Sequence, residues 1–473
     1  MQRPKIILYW GIVQSLILFS CASIRHLLFN SHAFDLGWFD QATYLISMGK
    51  PPIVSFSGFH ILGDHGAWIF YPLAALYWIY PSVYWLFAVQ AIALSLGGIL
   101  AAKLAQQAGL SSGHTVAIAL AYNLYPVVFN ANLFDFHPDT LAVPAILGAV
   151  LALRSHRFLT FFGCILLILG CKAILSLTVV GLGLWIILGE RPKWYGFWAM
   201  LLGTAWFIFT TQWIFPHFTG MDAAVEMSDG RYDYLGESIG EMIQTLILQP
   251  HRILGPVLSL ANLEYLVLLF APIFWILRPR YSLPLIGAAP ALILNLITTY
   301  QPQKDLVHQY ALPILPFFIL TAIAILNHNP KSFIYRPKFL IAWATIGFLA
   351  LGKYYYFGSL YLEKFDTWVT MRDAIAQVEP NVGIITQGEY APHLTHRRDI
   401  YLIDPSLPQR DLTQIDAILF NRRHPGEFPD TIETAQRYLE SRPDFTVTYN
   451  QNDVLLFQKI APDSPKSSPN DSP

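Results

Sequence analysis

Several short stretches of this chain place acids, imidazoles and lysines close together. "FDFHPD" holds Asp135, His137 and Asp139 within five residues. "FDLGWFDQ" holds Asp35 and Asp40, and "FHILGDH" holds His60, Asp64 and His65. "QPQKDLVHQY" adds Lys304, Asp305, His308 and Tyr310, and Lys172 stands in the apolar "LGCKAIL". A carboxylate at such a place can take a proton from a hydroxyl, and a lysine can neutralise a phosphate. A histidine can hold a ligand as a neutral acceptor or donate a hydrogen bond. Asp/His sets also suit a divalent cation, with Asp35, Asp40 and His137 as candidate ligands, although their spacing matches no fixed metal signature. Asp139 has a plainer reading as the N-cap of a helix starting at Thr140.

The elements that must position these groups are apolar. The 473-residue chain is 54% hydrophobic and only 13% charged, where a soluble domain carries roughly 25% charged residues. That composition defines a polytopic α-helical membrane protein. A net charge of -1 gives no bulk attraction for nucleic acid. Cys21, Cys164 and Cys171 all lie in apolar runs and read as small buried hydrophobes, outside any disulfide or zinc framework.

Apolar runs mark about eleven candidate spans. They begin near Ile6, Val83, His114, Thr140, Phe158, Ala173, Trp194, Ile253, Tyr281, His308 and Phe339. The first is too long for a signal peptide and reads as a retained helix whose basic "MQRPK" end is cytoplasmic. The aromatic-rich Trp68–Tyr80 stretch reads as an interfacial helix. The basic loops "AAKLAQQ", "LRSHRF", "GERPKW", "RPRY" and "HNPKSFIYRPK" fall on one side, as the positive-inside rule asks. This holds provided that residues 158–188 form two short helices turning near Lys172. The acid- and His-bearing loops then share the outer side, with everything after Gly358. Ionisable groups gathered at one membrane boundary favour a common site.

The tail changes character. "VGIITQ", "IYLID", "AILFN", "FTVTYN" and "VLLFQK" are strand-like and alternate with two helical segments. Residues 358–460 are therefore expected to form a small extracytoplasmic α/β domain beside a membrane domain of residues 1–357. Residues 461–473, rich in Pro and Ser, read as a disordered tail.

The stretches "FDLGWFDQ", "GDHGAWIFYPLAALYWIYPS", "FDFHPDTLAVP", "RYDYLGESIGEMI", "HQYALPILPF" and "APHLTHRRDIYLI" resemble a family of bacterial predicted membrane proteins, a domain of unknown function. That family in turn resembles the GT-C glycosyltransferases. The resemblance implies a GT-C-like fold in the inner cell membrane. It also implies transfer of a sugar from a polyprenyl-phosphate donor to a glycan or lipid acceptor at the outer face. The catalytic acid would be Asp35, with Gly49 and Pro51 after it at a similar spacing, or Asp40. Asp64, His65, Asp135, His137, Lys172, Lys304, His308 and Tyr310 would bind substrate. Lys172, Lys304 or Arg252 would stabilise the lipid phosphate in place of a metal. Two departures stand out. Leu36 follows Asp35 where GT-C loops often read Asp-Glu, and Ala173 stands where an acid would follow the lysine. A membrane transporter or flippase and a non-catalytic membrane scaffold are the alternatives. The first would want ionisable groups at mid-membrane depth.

Overall fold

The computed structural model describes residues 4–220, 230–328, 331–426 and 429–460. The 461–473 tail, expected to be disordered, lies outside the described residues. The chain forms two compact units: Met1–Ile24 with Phe59–Tyr356, and Arg25–Gly58 with Phe357–Pro473. This differs from a division into 1–357 and 358–460 at one place. Arg25–Gly58, which contains most of the loop expected first on the outer side (the first outer segment), belongs to the C-terminal unit.

The larger unit is helical, and each expected span is found as an apolar helix, whole or broken. Among the described residues, five helices are long and apolar enough to cross a membrane: Ile7–Leu27, Tyr84–Gln107, Ser112–Leu133, Trp194–Thr219 and Gln309–Asn327. A sixth forms if His251–Val257 and Leu260–Ile276, bent by 59°, act as one span. The other expected spans are shorter helices, such as Asp139–Arg154, Phe158–Cys171, Leu175–Gly189, Leu285–Ile297 and Pro337–Leu351. At about 1.5 Å per residue, helices of this length fall short of a hydrocarbon core of roughly 30 Å. By length alone the spans therefore number five or six, fewer than expected. The aromatic-rich stretch forms the helix Phe70–Ile79. Ile239–Leu248 is an apolar helix where the sequence suggested only loop.

Small residues let these helices approach closely. A Cβ at Gly183 would lie 2.6 Å from the Gly196 carbonyl oxygen, and one at Gly196 would lie 2.5 Å from the Gly183 carbonyl oxygen. Leu175–Gly189 and Trp194–Phe209 therefore pack backbone to backbone, as helices do where lipid supplies no hydrophobic drive for association.

The second unit is built on a five-stranded sheet. Its strands are β1 (Ile384–Thr386), β2 (Ile400–Leu402), β3 (Ala417–Asn421), β4 (Phe445–Gln451) and β5 (Val454–Lys459). The order is β2-β1-β3-β5-β4. β1 is parallel to β2 and β3, and β5 is antiparallel to both β3 and β4. The strands lie where the apolar runs placed them, and Trp368–Ala376 and Pro429–Glu440 supply the helices. β3 is buried throughout, as a central strand covered on both faces must be. On one face Phe29 and Ala33 of the first outer segment enter the core beside Met371, Tyr390, Leu419 and Leu456. Backbone contacts hold the segment there. Trp368 Nε1 donates to the Leu27 carbonyl at 2.7 Å, and Asn30 Nδ2 donates to the Tyr361 carbonyl at 3.1 Å.

Candidate functional site

Within the C-terminal unit the two acids of "FDLGWFDQ" have different surroundings. Asp35 lies in a single π-helical turn, Ala33–Gly37, and is partly exposed. Such turns are rare and recur at functional positions. Asp40 lies in the following α-helix, Trp38–Ser47, and is 1% exposed. The Thr395 hydroxyl donates a short hydrogen bond to Asp40 Oδ2. His396 Nε2 lies 3.2 Å from the same oxygen, and its ring stacks on Tyr44 at 4.7 Å. The next residue, Gln41, donates from Nε2 to the Arg397 and Arg398 carbonyls and to the Ser55 hydroxyl. The "PHLTHRRD" loop thus binds the first outer segment. Burial alone would push the His396 imidazole down, but the Asp40 charge and hydrogen bond outweigh it and the net shift is upward. At His393 burial wins: it outweighs the hydrogen bond with His26 and the Asp40 charge, both of which raise the imidazole, and lowers it to about 4.

In the membrane unit "FDFHPD" is a clamped turn. Asp135 has φ +84°, a left-handed conformation that Asp tolerates better than most residues. Gln90, from the Tyr84–Gln107 helix, holds the turn from both sides. Its Nε2 donates to the Asp135 carbonyl at 3.0 Å and the Asn132 carbonyl at 3.2 Å, and its Oε1 accepts from His137 N–H at 3.0 Å. His137 is buried and stacks on Phe134, whose ring also meets His308 at 4.1 Å. Asp305 orients His308 at 2.7 Å. Asn130 binds the Leu306 and Leu351 carbonyls and Lys353 N–H, which ties this turn to two other loops.

Asp139 does not cap a helix at Thr140. The helix begins at Asp139 itself, with Pro138 in the cap position and no side-chain cap bond. The Asp139 carboxylate instead meets Lys172 Nζ at 2.7 Å, both side chains being less than a tenth exposed. Lys172 terminates Phe158–Cys171, and the chain turns there into Leu175–Gly189, as the topology required. Lys172 therefore has an acidic partner although residue 173 is alanine. Ala173 N–H donates to the His65 carbonyl at 2.8 Å, which brings in the contacting pair Asp64 and His65.

Tyr310 accepts a hydrogen bond from Arg231 at 3.1 Å, and the Arg231 guanidinium lies 4.5 Å from the Tyr300 ring centroid. Lys304 shares this loop. It is 7% exposed, its ammonium is pushed down by burial, and among the described residues no carboxylate pairs with it. Arg252 is exposed in a short helix. Among the described residues no three His, Cys, Asp or Glu side chains gather to hold a metal ion. The candidate ligands Asp35, Asp40 and His137 are therefore not part of such a group.

The structure thus groups Asp40 with Thr395 and His396, Asp139 with Lys172, His137 with Phe134 and His308, and Tyr310 with Arg231. Gln90, Asn130 and Arg231 were not singled out from the sequence. Gln90 had a signal, a lone amide in the apolar "WLFAVQAIALSL", and so had Asn130 and Asn132 in "VVFNANLF".

A multi-helix membrane unit joined to a small α/β unit defines the class: the chain has the GT-C fold. Two solved structures of ArnT from Cupriavidus metallidurans superpose on it. The form bound to undecaprenyl phosphate gives a TM-score of 0.59 at 11% identity, over 98% of this chain and 99% of that one. The apo form gives 0.55 at 11% identity, over 96% and 98%. The chain belongs to the predicted membrane protein family DUF2079, which it matches over residues 25–456. No curated protein matches it.

Two outcomes are expected from these contacts. Asp139→Ala should destabilise the detergent-solubilised protein by roughly 3–5 kcal/mol, since it strands a buried lysine. The double variant Asp139→Leu/Lys172→Met should recover most of that loss in thermal unfolding. An additive double variant would show that the pair does not interact.

The His396 contact should make stability pH-dependent. Its folded pKa is raised, so its stabilisation is complete below the unfolded value of about 6.5 and fades as pH climbs past the raised value. Melting curves of the protein and His396→Gln should differ most at pH 6 and converge toward pH 9. A constant gap across that range would remove the charged contact with Asp40.

Proposed function

We propose that the protein is a glycosyltransferase that moves a sugar from a polyprenyl-phosphate donor to a glycan or lipid acceptor at the outer face of the cell membrane. In this reading the N-terminus is cytoplasmic and the C-terminal unit extracytoplasmic. Support begins with the fold, which is shared with a protein whose bound ligand is undecaprenyl phosphate. Fold alone does not fix chemistry.

The observation that carries the reading is Lys304. A buried ammonium without a counter-charge is costly, and an anion from outside the chain would relieve it. A lipid phosphate is such an anion, and Arg231 and Tyr310 are on hand at the same loop for hydrogen bonding. Lys172 suits this task less, because Asp139 already neutralises it. The acceptor hydroxyl must lose a proton, and of the two first-loop acids Asp35 suits that role. Asp40 is buried and engaged by Thr395 and His396. His308, oriented by Asp305, and His137 are further polar groups for substrate binding. One observation disfavours the transporter alternative. The buried pair Asp139–Lys172 stands at helix ends, whereas transport asks for charge within the spans.

Undecaprenyl phosphate added to the protein in lipid nanodiscs should raise its melting temperature. Lys304→Met should melt higher than wild type without lipid, because an unpaired charge is gone. It should also bind undecaprenyl phosphate at least about tenfold more weakly, a loss of about 1.4 kcal/mol. Unchanged affinity in Lys304→Met would remove the phosphate role and the main support for this reading.

A further inference from the structure

The C-terminal unit contains a cleft of about 300 Å³ that none of the groups above explains. It opens at the carboxyl ends of β1, β2 and β3 and is lined by residues that follow each strand, among them Gln387, Glu389, Asp404 and Gly426. β1 is the first strand of the sheet, β2 lies on one side of it, and the chain then crosses to place β3 on the other. Such a reversal parts the loops leaving neighbouring strands and leaves a crevice at their carboxyl ends, the common place for a ligand in open α/β sheets. The volume is at the lower end for small-ligand sites, enough for one ring rather than a long chain.

The first outer segment forms the other wall. His32, Phe34 and Phe56 line the cleft. A Cβ at residue 388 would lie 2.5 Å from His32 Nε2, so Gly388 is what lets the imidazole sit against the floor. Phe34 is 53% exposed, so much of its ring is open to a ligand beside His32 and Phe56. Phe34 also shares the single π-turn Ala33–Gly37 with Asp35.

The lining has a definite chemistry. Phe34 and Tyr401 offer aromatic faces, while Gln387, Glu389 and Asp404 surround them with hydrogen-bonding groups. Gln387 is fixed by bonds to Asn421 and His424. Arg410 is held by Asp404 at 2.8 Å and lies 5.2 Å from the Tyr401 ring centroid. Both carboxylates are already paired, Glu389 with Lys364 at 3.3 Å and Asp404 with Arg410 at 2.8 Å, so the lining offers an anion no lysine or arginine that is not already engaged, which disfavours nucleotides, phosphates and uronic acids. A pyranose with neutral or amino substituents meets all these features. Its C–H face lies on an aromatic ring, and its hydroxyls bond to carboxylates and amides.

We propose that this cleft is a saccharide subsite that holds one neutral or amino sugar residue of the acceptor glycan. The assignment of that sugar to the acceptor rests on the transferase reading, with Asp35 on the same turn as the cleft wall. Sugar binding itself does not depend on that reading.

The test is binding of the full-length protein, labelled and held in nanodiscs, to an array of neutral, amino and acidic glycans. Neutral or amino glycans should be retained and acidic ones not. Phe34→Ala and Tyr401→Ala should each lower retention at least about fivefold. Glu389→Gln, which also loosens the Lys364 ion pair, should lower it as well in protein whose melting curve shows it folded. Absence of any glycan binding, preference for acidic glycans, or retention unchanged in all three cleft variants would overturn the proposal. If glycans bind as described while Lys304→Met leaves undecaprenyl phosphate affinity unchanged, the subsite stands and the transferase reading falls. If the lipid test succeeds and the array fails, the reverse holds.

Discussion

The contact on which the rest depends is the one between Asp40 and the Thr395–His396 loop. A carboxylate taken fully out of water is costly unless hydrogen bonds and a positive partner replace the lost hydration. Asp40 obtains both from residues some 355 positions later in the chain. Gln41 reinforces the same junction through two backbone carbonyls. The first outer segment is thereby part of the C-terminal unit, with Phe29 and Ala33 in its core. Asp35, a few residues earlier, is then held on a rigid support while keeping partial access to solvent. Two acids of one short motif thus have two kinds of surroundings.

Charge compensation shapes the membrane unit in the same way. Asp139 neutralises Lys172, Asp305 orients His308, and the Tyr300 and Tyr310 rings receive Arg231. Gln90 and Asn130 supply the hydrogen bonds that irregular backbone needs where water is scarce. Against this background Lys304 stands out as a buried ammonium with no carboxylate partner among the described residues, and such breaks in charge balance often mark where a ligand completes the site.

Much of the fold was legible in the sequence because it is carried by local apolar runs. The five strand-like segments of the tail and the helix pair around Lys172 follow from hydropathy and from the alternation of loops rich in lysine and arginine with loops that are not. Span lengths were less legible. An apolar run such as that from Phe339 includes residues beyond Leu351, where the helix ends. The candidate site was legible as residue types and not as partnerships. Asp139 looked like a helix cap because capping is local, whereas its partner Lys172 lies in another helix pair. Asp35 stood before Asp40 only through its spacing to Gly49 and Pro51, and nothing within their own segment shows that Asp40 is buried. Its partners come from the far end of the chain.

The most direct measurement compares sugar-transfer rate and melting temperature in Asp35→Asn and Asp40→Asn, using polyprenyl-phosphate sugar and protein in nanodiscs. Asp35→Asn should lose roughly 100- to 10,000-fold in rate, the usual range for a general base, with its melting temperature unchanged. Asp40→Asn should melt lower, with any loss of rate tracking the loss of folded protein. An active Asp35→Asn beside a well-folded, inactive Asp40→Asn would contradict the division of roles between the two acids.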